Sequence, residues 1–159
     1  MGSKTFATVF EPFIEATLAS FSYLTSEFGF EHYKTEVVSY ECSVRFRKND
    51  RVAVHITCEA GALPWVMLVG RQGKSVREAA LDFVIEHRCP DKMPDVHYEF
   101  PAAEKQVVAL VQSYATLLRE CAEDFLEGDP AVVIGVQPAV DADFKEKTRD
   151  FPPARRPKR

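Results

Sequence analysis

Residues Val38 to Glu59 read VSYECSVRFRKNDRVAVHITCE, and this stretch decides the fold. Val38, Tyr40, Cys42, Val44 and Phe46 alternate with Ser39, Glu41, Ser43, Arg45 and Arg47. A period of two with one apolar face predicts a half-buried strand, because successive side chains point to opposite sides of a pleated backbone. Lys48, Asn49 and Asp50 supply a turn. Val52, Val54, Ile56 and Cys58 then alternate with Ala53, His55, Thr57 and Glu59, which completes a hairpin packed on one side.

Working outward, Ala60-Gly61-Ala62 turns the chain, and Leu63 to Gly70 reads as a third strand. Trp65, Val66, Met67, Leu68 and Val69 are apolar on both faces, so this strand is either covered on both sides or offers one face as a contact surface. Before the hairpin, Pro12 suits a first helical position. Phe13, Ile14, Thr17, Leu18, Phe21, Leu24 and Phe28 then recur at helical spacing up to Gly29. After it, Ser75 and Glu78 match a capping box, predicting a helix from Ser75 to about His87. Arg88 to Phe100 reads as a long charged loop. A regular helix follows from Pro101 to Gly128 along the stripe Val107, Leu110, Val111, Tyr114, Leu118, Cys121 and Phe125. Ala131 to Val136 suits a fourth short strand.

The expected fold is therefore α+β: an N-terminal helix, a three-stranded antiparallel meander and two further helices on one sheet face. Residues 1–137 make one domain. Residues 138–159 form a polar, Pro-rich, basic tail that cannot bury enough apolar surface to order itself.

The chain has 159 residues, 46% of them hydrophobic and 28% charged, which is the ordinary globular range and long enough for a core without metal or disulfide. No stretch approaches a membrane span, and the N-terminus lacks the pattern of a signal peptide, so the expected location is the cytoplasm. The net charge of −4 hides an asymmetry, since positions from 145 onward hold seven Lys/Arg and two acids. The acidic remainder repels nucleic-acid backbones and attracts basic protein surfaces.

Few residues suggest chemistry. Cys42 and Cys58 face the same side of adjacent strands and read as a core thiol pair, not as zinc ligands. His87, Cys89 and His97 could supply a nucleophile and a base, but the helix dipole already accounts for a histidine at a helix end. Gly70, Gly73, Lys74 and Ser75 lack the spacing of a phosphate loop. Arg155, Arg156, Lys158 and Arg159 read as a solubilising tether. No catalytic residue, metal or cofactor is expected.

Leu24 to Phe30, the hairpin Val38 to Cys58, and the run from Tyr114 through Arg119 to Asp129 together resemble the small α+β bacterial immunity proteins of polymorphic toxin systems. The resemblance implies an inhibitor that occludes a cognate toxin and has no catalytic residues of its own. A basic, nuclease-type toxin would be the partner. The expected interface is the acidic loop with Asp91, Asp95, Tyr98, Glu99 and Phe100, or else the polar sheet face with Arg45 and His55. Two alternatives stay open: a secretion-type chaperone dimerising through Leu63 to Val69, and a ligand-binding or enzymatic domain with a pocket between sheet and helices.

Overall fold

The computed structural model describes residues 6–149 except Tyr98. Three short helices open the chain: α1 (Phe6–Val9), α2 (Glu11–Ser20) and α3 (Ser22–Ser26). Pro12 lies in the first turn of α2, as its missing N–H favours. Thr17 Oγ1 donates 2.7 Å to the Phe13 carbonyl, and the helix breaks at Phe21, whose N–H still reaches Thr17 O.

The sheet has five strands, not the three or four expected. They are β1 (Glu31–Val38), β2 (Glu41–Lys48), β3 (Val52–Glu59), β4 (Trp65–Gln72) and β5 (Ser75–Ala80), paired antiparallel in sequence order. The central hairpin forms as expected, with Cys42 and Cys58 neighbours on adjacent strands, and its register sets Cys42 opposite Cys58, Val44 opposite Ile56 and Phe46 opposite Val54. Its start is corrected. Val38 ends β1 and Tyr40 sits in the turn, 59% and 60% exposed, so the first part of the alternation belongs to another strand. Ser39 takes φ +55° to close that turn.

Both missed strands are sheet edges. β1 is exposed or half-exposed at every position, so it has no apolar stripe to signal it. The helix expected from Ser75 is also corrected: Ser75 pairs with Gln72 and Glu78 with Val69, inside β5. Gly73, at φ +60°, opens a two-residue hairpin loop of the kind that wants glycine first. The helix begins only at Leu81, as α4 (Leu81–Arg88), followed by a 3-10 turn over Pro90–Lys92.

The long helix is α5 (Glu104–Cys121), with α6 (Glu123–Leu126) beyond a break at Ala122. Ala131 to Val136 is not a strand. Asp129 Oδ1 accepts from the Ala131 N–H at 2.9 Å and starts α7 (Ala131–Gly135). Where a polar tail was expected, Gln137–Thr148 form α8; the basic residues from 155 onward lie outside the described residues.

The helices cover one sheet face. Phe13, Phe21, Leu24, Leu81, Ile85, Val111, Leu118, Phe125 and Val133 bury against Val44, Phe46, Val54, Ile56, Val66 and Leu68. The other face, bearing Arg45, His55, Met67 and Val69, is half-buried and open to the outside. Among the described residues no helix is long and apolar enough to cross a membrane.

Candidate functional site

Two groups of residues were expected as alternative interfaces, and they belong to different elements. The first is the loop between α4 and α5. Asp91 is exposed in the 3-10 turn, Asp95 and His97 form a solvent-facing pair at 2.9 Å, and Glu99 is exposed. Tyr98 lies outside the described residues. Phe100 is 75% exposed, yet its ring edge stands over Gly61: a Cβ there would meet the ring at 2.9 Å. The Ala102 N–H donates to Gly61 O at 2.8 Å, so the loop is seated on the β3–β4 turn. A groove of about 350 Å³ runs between Leu63, Pro94, Val96, Ala109 and Leu110, with Asp95 and His97 on its lining.

The loop's carboxylates are sparsely neutralised. Asp91 and Glu99, and Glu104 at the start of α5, form no ion pair with another described residue. Further along the same layer Lys92 holds Glu120 at 2.7 Å, and Arg88 grips Asp124 through two bonds of 2.5 and 2.8 Å while reaching Cys121 O. The Arg88 hydrogen bond and charge hold the Asp124 carboxyl below its ordinary range.

The second group is on the open sheet face. Arg45 and His55 are direct cross-strand neighbours. Arg45 meets Glu36 at 3.6 Å, and its Nε is buried without a hydrogen-bond partner. Tyr33 Oη lies 3.2 Å from His55 Nε2. Burial, and after it the nearby Arg45 guanidinium, pushes the His55 pKa down, so the ring is neutral at pH 7.

Sequence reasoning missed a cavity of about 240 Å³ at the end of this face. Its rim holds Tyr33, Arg47, Arg51, His55 and Arg71, and its floor includes Ala53, Val69 and Val76. A bulge between His32 and Lys34 turns Tyr33 to this side, and Arg47 stacks 4.9 Å over its ring while pairing with Glu31 at 3.2 Å. The alternation of Arg45 and Arg47 was the signal available; the part of the lining that bears Val76 was hidden because β5 read as a helix.

The thiols are placed for packing. Burial pushes Cys42 up to about 11 and Cys58 up to about 12, so both stay protonated and weakly nucleophilic at pH 7. Burial, then a hydrogen bond to Cys89, pushes Cys121 up to about 12. His87 and His97 form no hydrogen bond to Cys89 among the described residues. Asp82 is the carboxyl most at odds with its surroundings. Burial raises its pKa, opposed by the Tyr114 hydroxyl, which donates 3.0 Å to Oδ1.

No protein-family model matches the chain, and neither a curated protein nor a solved structure does.

Proposed function

We propose that the chain is a non-enzymatic, immunity-type binding protein whose acidic helical side engages a basic toxin domain and occludes it. One observation carries the reading. Residues 31–80, which build the sheet, hold eight Lys/Arg and six Asp/Glu, whereas residues 81–149 hold seven and fourteen. Negative charge is thus concentrated on one layer. Such concentration steers a positively charged partner and raises its on-rate, while specificity falls to a few anchors near the charge. Phe100, exposed and backed by the β3–β4 turn, is a pre-positioned anchor of that kind. The resemblance to immunity proteins points the same way.

The test is capture from the native host with tagged full-length chain, beside a variant carrying Asp91→Lys, Asp95→Lys and Glu99→Lys. The expected result is a basic protein that 1 M NaCl releases and the variant fails to hold. Co-expression with the wild-type chain should relieve that protein's toxicity, and co-expression with the variant should not. Equal capture by both chains, or capture without protection, would overturn the reading.

A second reading draws on Trp65, Met67 and Val69, which line the open face of β4 half-buried, with the helices on the opposite side. A chaperone-like dimer through this stripe would double the solution mass; the inhibitor reading expects a monomer.

A further inference from the structure

We propose that the cavity at the end of the open sheet face binds a small oxyanion, a phosphate monoester or a carboxylate, carried on a compact apolar body.

The charge arrangement is the first argument. Val52 stands opposite Gly70, and the Arg71 N–H donates to Arg51 O at 2.8 Å, so the register places Arg51 and Arg71 opposite each other. Like charges directly across a ladder destabilise it. Neither guanidinium forms an ion pair with another described residue. Asp50 lines the same cavity without pairing to either, and Arg47, the third arginine, is fixed at the rim by Glu31 and Tyr33. The fold therefore places two guanidiniums without ion-pair partners beside a held one, with the single carboxylate of Asp50 on the same cavity. Planar guanidinium forks match the oxygens of carboxylate and phosphate better than any other side chain.

The floor is apolar. Ala53 and Val69 are half-buried, and Val76 is 48% exposed on β5. Apolar groups below a cationic rim suit a ligand with a charged end and an apolar body. Tyr33 Oη and His55 Nε2 share a hydrogen bond at the cavity wall and offer one polar contact to that body. The site, open to solvent and about 240 Å³ in volume, accommodates a group the size of a substituted ring.

The test titrates the full chain with phenyl phosphate, benzoate and inorganic phosphate, read by calorimetry and amide NMR. At least one of the two ring-bearing anions should saturate with a Kd below about 1 mM. It should shift the amides of Ala53, Val69 and Val76, and inorganic phosphate should bind at least about tenfold more weakly. The stronger ring-bearing anion identifies the headgroup. The pair Arg51→Gln and Arg71→Gln should weaken that binding by about tenfold or more without lowering the Tm of the free protein, since the change removes a repulsion. Lys74→Gln, at the neighbouring turn, should leave binding unchanged. Absence of saturation, shifts confined to other regions, or equal losses in Lys74→Gln and the double variant would overturn the proposal. Inorganic phosphate binding as tightly as phenyl phosphate would also overturn it.

Discussion

A methyl group at Gly70 would sit 2.9 Å from Pro130 Cβ and 3.4 Å from Val133 Cβ. Gly70 therefore sets how closely α7 approaches β4, and Pro130 has no flexible end to swing aside. Gly70→Ala should cost about 1–3 kcal/mol through overpacking, read as a lower urea midpoint at unchanged slope. Asp82 makes a different argument. Its folded pKa is raised, so the folded state keeps a proton that the unfolded chain has already lost, and stability falls as pH rises across that interval. Asp82→Asn retains an acceptor for the Tyr114 hydroxyl and removes the desolvated charge. The variant should melt higher than wild type at pH 7, with the difference closing towards pH 4. From the sequence alone the Cys42–Cys58 neighbourhood was legible, because period two fixes which side each residue takes. The Asp82–Tyr114 contact was not, since it joins two helices whose packing angle no local pattern specifies.

At the scale of elements, the sheet edges are where reading and structure part. β5 ends the sheet, and its outer backbone groups are a template for unwanted pairing. Gln137, at the start of α8, closes part of that edge: its Nε2 donates 2.9 Å to Glu78 O and 2.9 Å to Val133 O. Gln137→Ala should lower stability by about 1 kcal/mol and raise self-association, measured by light scattering against concentration. β1 protects the opposite edge with the bulge at His32/Lys34 and with the ion pair of Lys34 and Glu36. Edge strands of this kind are exposed on both faces, so Glu31–Val38 could not announce itself by alternation. Ser75 and Glu78 satisfied a helix-start pattern, but pairing with Gln72 and Val69 overrode it. The interior strands and α5 were legible because burial on one face leaves a periodic record.

Across the whole molecule, pH acts through groups of known sign. The folded pKa of His55 is depressed, so below the unfolded value of about 6.5 the unfolded chain takes a proton the folded one refuses. Stability is therefore full above that pH and falls as pH drops through it. Asp124, held down by Arg88, adds stability above the ordinary aspartate range and loses it in more acidic solution. Urea titrations from pH 7 to 5 should show wild type losing stability relative to His55→Gln, since Asp82, which acts in the opposite sense, is common to both.

The sequence by itself determined the α+β class, the central hairpin with the side each of its residues takes, the apolar stripe of α5 and the excess of acid. These are local periodicities or sums, and a one-dimensional string holds them completely. Tertiary structure alone decided the two edge strands, the helix at Ala131–Gly135, the seating of the acidic loop on the β3–β4 turn, and the convergence of Arg47, Arg51 and Arg71 on one cavity. Each depends on which remote segments pair or pack, and that is settled by the energy of the whole sheet and core, which no single stretch of chain contains.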